Sequence, residues 1–270
     1  MSRKAWIWQL QAVAKVELQR YRRGRRWIAP CVLAILPNVV MLLPPLFGTD
    51  RGYGELLRRV PIGYTQFFQT LWLRFMIFFS CVAVFSQLFR SEFLEKTLHH
   101  YYLVPIRREV VVVGKFLTML LCTVLLFSIS TASTYCLFFW PSAYGRDFLL
   151  SALGISHMFR YIAITALACA AYGALFLVIG LTFRNPMIPA LFVLCWETFN
   201  YTMPSLFQHL SVILYLQSFM PVTLLGGPFA ISVEPPTPGA SAAILLIVST
   251  AIVIVCAYLV RHIQITYSAE

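Results

Sequence analysis

Six apolar stretches, five long and one short, constrain the fold of this chain more than any other feature of its sequence. A helix needs about 20 residues to cross the hydrocarbon core of a bilayer. The composition agrees with a membrane location, since 60% of the residues are hydrophobic and only 11% are charged. We therefore expect an all-α integral membrane protein with six transmembrane helices. The six predicted spans cover residues 27–47, 64–89, 110–140, 161–183, 187–201 and 241–260.

The first predicted span is unusual because it contains several prolines, including Pro30, Pro37 and Pro44. Proline is tolerated in membrane helices, since neighbouring groups satisfy the carbonyls that it leaves without a partner. We therefore predict a kinked first span. Its length and missing cleavage site also predict that it is not a signal peptide.

The distribution of basic residues predicts how the spans are oriented. Fifteen of the 21 Lys and Arg residues lie on one side of a six-span topology, and five lie on the other side. Because cytoplasmic connections carry the excess of positive charge, both termini are predicted to be cytoplasmic. We expect a cell membrane, specifically a bacterial inner membrane. The net charge of +11 then reflects this topology and contact with membrane lipid, so we expect no nucleic acid partner.

The first 26 residues are predicted to form an amphipathic helix at the membrane interface. Trp8, Ala12, Val16 and Leu18 form an approximate apolar stripe, and basic and polar residues occupy the other side. This pattern is typical of helices that lie in the plane of the interface. A solvated basic tail is the alternative. Residues 27–270 are then one transmembrane domain.

One compact charged passage, residues 90–115, separates the second predicted span from the third. It runs through Thr97-Leu98, Pro105 and Arg108 to Gly114-Lys115. With this spacing it resembles the loop between the second and third spans of type-2 ATP-binding-cassette exporter permeases, although Lys96 stands where that family usually has glycine. The resemblance implies a coupling helix against a separate ATPase subunit. The residues expected to contact that subunit are Glu92, Glu95, Lys96, Thr97, Pro105, Arg107 and Arg108.

The resemblance also implies partners and cofactors. Two copies of the chain would pair as a homodimer, and two copies of a cytoplasmic ATP-binding-cassette ATPase subunit would dock beneath them. ATP and Mg²⁺ would bind to the ATPase subunits, and this chain would hold no cofactor. The family also has a re-entrant hairpin before its last span, to which residues 203–222 correspond. There Pro204, Gln208 and His209 would form an outer gate.

The sequence contains no recognisable catalytic motif. Gly114-Lys115 is followed by Phe116, so the phosphate-binding sequence Gly-x-x-x-x-Gly-Lys-Ser/Thr is absent. His99 and His100 are adjacent, and adjacent side chains on a helix point about 100° apart, which makes a poor metal chelate. We predict a transport subunit that is not itself an enzyme, with neither a catalytic nor a metal site.

Two ionisable residues lie deep inside predicted spans. Glu197 is 11 residues beyond Pro186, which corresponds to a depth of about 16 Å, and Arg74 lies at comparable depth in the second span. Charges at such depth are costly and indicate a functional site or an ion pair. Three alternatives stay open: an Arg74–Glu197 pair, a contact with substrate or a gate, and a span boundary that leaves Glu197 exposed to outer water.

Hydroxyl groups and small residues distinguish the third and fourth spans. The hydroxyls of the third span, which include Ser130 and Thr134, either line a pathway or bond to their own backbone and to neighbouring helices. Small residues of the fourth span, Gly173 and Gly180 among them, predict a face for close helix packing.

These features together predict the permease subunit of an ATP-binding-cassette exporter. It would move an unidentified substrate across the membrane, using ATP that a separate subunit hydrolyses. The alternative is a non-transporting membrane anchor or assembly subunit that docks a cytoplasmic partner through the same loop.

Overall fold

The computed structural model describes residues 3–25, 27–47, 60–89, 108–199, 204–222 and 236–262, and every regular element within these ranges is a helix. The third helix, α3, consists of three consecutive segments, and its middle segment is a π-helix. The helices are α1 (Arg3–Arg23), α2 (Ile28–Phe47), α3 (Val60–Phe67, Phe68–Ile77 and Phe78–Phe85), α4 (Arg108–Phe139), α5 (Ala143–Leu150), α6 (Ala152–Thr182), α7 (Met187–Phe199), α8 (Ser205–Gln208), α9 (Val212–Gln217) and α10 (Pro238–His262).

Within the described ranges, four helices are long and apolar enough to cross a membrane, and they confirm four of the predicted spans. The helices α1 and α2 meet at a bend of 69° and add a fifth span if they are counted as one. With 13 residues, α7 is about 20 Å long, which is shorter than the hydrocarbon core of about 30 Å. An all-helical membrane fold is therefore confirmed, whereas six spans stay a prediction. The four spans are Ile62–Phe89, Glu109–Phe139, Ala152–Thr182 and Pro238–Val260.

Contacts between helices reveal that α3, α4 and α6 alternate in direction. The beginning of α3, the end of α4 and the beginning of α6 meet in an aromatic cluster, where the Tyr64 ring centroid lies 5.1 Å from Tyr135 and 4.9 Å from Tyr161. At the opposite end, Gly180 near the end of α6 lies against the backbone of Ser86, which follows α3. The three helices therefore form an up-and-down bundle.

Small residues on α6 let α3 approach closely. A Cβ atom on Gly173 would lie 2.9 Å from the Phe85 ring, and one on Gly180 would overlap the backbone of Ser86. A methyl group at either position would lie too close to its neighbour unless that neighbour shifted, so glycine favours this packing. The close-packing face predicted for the fourth span is confirmed at these two positions.

Serine side chains determine where α5 and α6 begin. The Ser142 hydroxyl accepts a hydrogen bond from the Gly145 N–H at 2.9 Å, and the Ser151 hydroxyl accepts one from the Gly154 N–H at 3.1 Å. Such caps satisfy N–H groups that have no partner within the helix. As a result α6 begins at Ala152, earlier than the boundary at residue 161 that hydropathy predicted.

Candidate functional sites in the membrane domain

The carboxylate of Glu197 joins α7 to the start of α9. Glu197 is only 4% exposed, and its two oxygens accept hydrogen bonds from the Ser211 hydroxyl at 2.5 Å and from the Val212 N–H at 2.9 Å. Because the first N–H groups of a helix lack intrahelical partners, Glu197 caps α9 from another part of the chain. Its burial argues against the alternative in which Glu197 faces outer water.

Arg74 lies in the same buried neighbourhood. It belongs to the π-helical segment of α3, and its Nη1 donates to the carbonyl oxygen of Thr198 at 3.5 Å, one residue beyond Glu197. Arg74 and Glu197 interact electrostatically with each other and with the Tyr172 hydroxyl. The structure therefore brings the two charges together, although the direct donors to the carboxylate are Ser211 and the Val212 N–H. A direct bond between Arg74 and Glu197 stays a prediction.

The geometry of α3 around Arg74 is itself informative. Phe68–Ile77 is a π-helix of 10 residues, whereas π-helices are rare, occur mostly as single turns and are frequent at functional sites. Within this segment the three consecutive residues Trp72, Leu73 and Arg74 are all buried.

The residues predicted for an outer gate differ in their environments. Pro204 and His209 are exposed, whereas Gln208 is 1% exposed. The Tyr215 hydroxyl of α9 donates to the carbonyl oxygen of His209 at 3.0 Å and ties the turn between α8 and α9 to α9 itself. The role of this segment as a gate stays a prediction.

Asn38 of α2 forms hydrogen bonds with three hydroxyl groups of α4. Its amide nitrogen donates to Ser130 Oγ at 2.8 Å, and its oxygen accepts from Ser133 Oγ at 2.7 Å and from Thr134 Oγ1 at 2.9 Å. The Ser130 hydroxyl also donates to the carbonyl oxygen of Ala34. Ser130 and Thr134 are both buried. These contacts favour helix packing over the pathway alternative for the two hydroxyls.

The connection between α3 and α4 has both of its ends beside α1. Lys115 of α4 is fully buried, and its Nζ lies 3.6 Å from Glu17 Oε2 of α1. The same Nζ lies 5.1 Å from the ring centroid of Phe89, which ends the span Ile62–Phe89 that contains α3. Gly114 permits this approach, because a Cβ atom there would lie 3.1 Å from Val13 Cγ1 of α1. Lys115 is therefore buried against α1, although it belongs to the charged passage at residues 90–115.

The predicted apolar stripe of α1 is exposed within the described part of the chain. Trp8, Val16 and Leu18 are 72%, 51% and 42% exposed, whereas Val13 and Glu17 of the same helix are buried. An apolar stripe on the surface of the chain suits a helix that meets lipid. The placement of α1 at the membrane interface stays a prediction.

Most of the predicted ATPase-coupling residues lie outside the described residues. Arg108 begins α4, so residues 108–115 form the first turns of the helix that continues as the third span. Among the residues that the structure covers, no group of three His, Cys, Asp or Glu side chains could hold a metal ion. The coupling residues outside the described ranges are Glu92, Glu95, Lys96, Thr97, Pro105 and Arg107.

Three residues of these sites were not predicted from the sequence: Asn38, Glu17 and Ser211. Asn38 is the only amide side chain in the apolar helix α2, and Glu17 is the only acidic residue in α1, so both carried a signal. Ser211 carried none, because its contact with Glu197 depends on how the chain folds back after α7.

The fold and its buried polar sites define a multi-pass helical membrane protein. The sequence profile of the ABC-2 family transporter proteins matches residues 14–205, which is more than half of the chain. The chain therefore belongs to the ABC-2 family, the family of ATP-binding-cassette permeases that its loop resembles. No match was found to a curated protein sequence or to a solved structure.

Proposed function

We propose that this chain is the transmembrane permease subunit of an ATP-binding-cassette exporter, which moves its substrate with ATP that a separate subunit hydrolyses. The observation that carries the proposal is the family match over residues 14–205, which extends from α1 through the 90–107 connection to α7. Membership of this family implies association with an ATP-binding-cassette ATPase. ATP and Mg²⁺ bind to that ATPase subunit.

Two copies of the chain form the permease, and two ATPase subunits dock at the 90–107 connections. The arrangement of the helices supports this location. The end of α3, the beginning of α4 and the buried side of α1 meet where Phe89, Lys115 and Glu17 come together, so one end of the bundle carries all three. A partner that binds at that end contacts both the connection and the neighbouring ends of α3 and α4.

The topology has six spans, with both termini in the cytoplasm of a cell that we take to be bacterial. In it α2 and the short α7 are spans, α1 lies at the interface, and residues 203–222 are re-entrant. Exposed Arg22, Arg23 and Arg184 lie near the end that carries the 90–107 connection, and exposed Arg146 and Arg160 lie near the other end. With the basic residues of the connection itself, the first end has the excess of positive charge, which favours the cytoplasm.

The buried contacts suggest how movement passes through the permease. ATP binding draws the ATPase subunits together and moves the 90–107 connections, and with them the inner ends of α3 and α4. Arg74 carries this movement from α3 to α7 through its contact with Thr198. Glu197 carries it on from α7 to α9 through Ser211 and Val212. The outer segment opens, and ATP hydrolysis resets it.

A charge reversal in the connection tests the proposal. Charge-assisted contacts fix the register of an interface, so the Glu95→Arg/Arg108→Glu variant should lose the ATPase subunit or uncouple ATP hydrolysis from transport. The measurement is the vanadate-sensitive ATPase activity that co-purifies with the tagged chain from its native membranes. Arg160→Glu, at the opposite end of the bundle, is the control and should leave that activity unchanged.

Two results would count against this function. Unchanged co-purifying ATPase activity and transport in the double variant would remove residues 90–107 as the ATPase contact. Co-purification of a cytoplasmic partner without ATPase activity would favour the anchor or assembly alternative.

A further inference from the structure

The Lys115 ammonium group is a buried charge at the end of the bundle that carries the 90–107 connection. Lys115 is 0% exposed, and removing a cation from water is costly unless an acceptor or an opposite charge compensates it. Glu17 supplies the opposite charge, with Nζ and Oε2 3.6 Å apart. The face of the Phe89 ring supplies a further favourable contact, at 5.1 Å from Nζ to the ring centroid.

These two contacts join three different helices at one point. Glu17 lies on α1, Phe89 ends the span formed by α3, and Lys115 lies near the beginning of α4. Phe89 directly precedes the 90–107 connection, and α4 begins directly after it. A small cleft between the same three helices is lined by Glu17, Tyr21, Gln87, Leu88 and Met119. The helix α1 thus packs near residues that flank the connection, Leu88 on one side and Gly114 on the other.

We propose that Lys115 and Glu17 are positioning residues, which hold α1 against both ends of the 90–107 connection so that α1 moves with the connection. The inference rests on the proposed function, in which this connection contacts the ATPase. The ion pair between Lys115 and Glu17 attracts α1 to α4. Gly114 has no side chain, so it lets α1 approach at Val13 closely enough for the two charges to interact.

A designed disulfide measures whether α1 is docked in this way. A Cβ atom built on Gly114 lies 3.4 Å from Val13 Cβ, close to the range of about 3.5–4.5 Å that disulfides adopt. The variant Val13→Cys/Gly114→Cys, with the seven native cysteines replaced, should form this disulfide when membranes are treated with copper phenanthroline. The two thiols release two protons and pass two electrons to the oxidant.

The ion pair should control the rate of this cross-link. Adding Lys115→Met, or the nearly isosteric Glu17→Gln, should slow disulfide formation severalfold, because α1 then spends less time docked. Lys15→Met removes an exposed cation from the same helix and should leave the rate unchanged. If Lys115→Met does not accumulate in the membrane, the Glu17→Gln variant provides the same test of the ion pair.

A second measurement tests whether the docking of α1 is needed to couple ATP binding to the change in the outer segment. Leu210→Cys, at an exposed position between α8 and α9, reports the outer segment by its labelling with a membrane-impermeant thiol reagent. In the complex with its ATPase, labelling should change when ATP and vanadate are added. Lys115→Met should remove most of this change. Forming the disulfide between positions 13 and 114 before labelling should restore it, because the covalent bond then replaces the ion pair.

Each outcome decides a different point. If the disulfide does not form in the membrane, α1 is not docked and the inference is overturned, while the permease function stands. If Lys115→Met keeps the full ATP-dependent change, or if the disulfide does not restore it, Lys115 is not a positioning residue for coupling. If labelling of the unmodified complex does not respond to ATP, the proposed function fails and the coupling role fails with it.

Discussion

At the scale of single residues, the buried polar groups of this chain find their partners on other helices. Glu197 accepts from Ser211 and Val212, which lie in the segment that follows α7. Asn38 bonds to hydroxyls that lie more than 90 residues along the chain. In a membrane the backbone and side chains have little water to bond with, so each such partnership constrains how two helices sit together.

Removing the Glu197 side chain should destabilise the protein more than removing the Ser211 hydroxyl. Glu197→Leu leaves Arg74 and the Val212 N–H without the carboxylate, and breaking a buried charge pair typically costs about 3–5 kcal/mol. Ser211→Ala removes one bond to a charged group and should cost about 1.5–3 kcal/mol. Thermal unfolding in detergent measures the loss of stability in both variants.

The Arg74→Leu/Glu197→Leu double variant tests whether the two charges are paired. If they are, the double variant should be less destabilised than the sum of the single variants, because neither charge is left alone. A cost equal to that sum would mean that they are not paired. Glu197 would then be a stronger candidate for a gate or a substrate contact.

Asn38→Leu should weaken the packing of α2 on α4 only moderately. Side-chain hydrogen bonds between membrane helices average about 0.6 kcal/mol and reach about 1.7 kcal/mol, so a loss of about 1–2 kcal/mol is expected. The loss is limited because Ser133 and Thr134 can also bond to the Ser130 carbonyl. The neighbouring exposed Val39→Leu is the control for thermal unfolding. Unchanged stability together with altered transport would instead favour the pathway alternative for these hydroxyls.

At the scale of helices, the contact between α3 and α6 depends on two glycines with different neighbours. Gly173 faces the Phe85 side chain, which can move by rotation, whereas Gly180 faces the backbone of Ser86, which cannot move without shifting a helix. The contact between α1 and α4 likewise depends on a glycine, because Gly114 packs against Val13. Close approach in a membrane commonly requires such small residues.

Alanine at these glycines should destabilise the protein in a defined order. Overpacking typically costs about 1–3 kcal/mol, so Gly173→Ala should fall at the low end and Gly180→Ala at or beyond the high end. Gly239→Ala in α10 is the control, because no atom of the described residues lies within 4 Å of the added methyl group and the substitution should be nearly neutral. Thermal unfolding in detergent ranks the three variants. Equal stability of Gly180→Ala and Gly239→Ala would contradict the packing of α6 against the end of α3.

At the scale of the whole molecule, the bundle has two chemically different ends. One end holds an aromatic cluster around Tyr64, Tyr135 and Tyr161, and the other holds Lys115, Glu17 and the 90–107 connection. Family membership makes this a transport protein of the membrane. Which of the two ends faces the cytoplasm is part of the proposed topology.

Single cysteines at positions 206 to 212 should be labelled from outside the cell by a membrane-impermeant thiol reagent. The background again lacks the seven native cysteines. Exposure predicts a graded pattern, with fast labelling for Leu210→Cys at 70% exposed and slow labelling for Gln208→Cys at 1% exposed. Uniform lack of reaction would place the segment against lipid and remove the gate. Labelling only from the cytoplasmic side would overturn the six-span topology.

The sequence by itself determined the class of the protein, four of its spans and its family. Hydropathy depends on neighbouring residues in the chain, so a window of about 20 residues contains enough information to predict a spanning helix. The spacing from Thr97 to Lys115 is likewise a local pattern, and it indicated the ABC-2 family that the profile match confirms.

Only the tertiary structure decided the partners of the buried polar residues. Depth indicated that Glu197 and Arg74 were important, but not that Ser211 and the backbone of α9 would bind the carboxylate. Nothing in the order of residues joins Lys115 to Glu17, since they are almost 100 positions apart. Such pairings depend on helix rotation, which is set by packing between distant parts of the chain, so no local pattern predicts which residues meet.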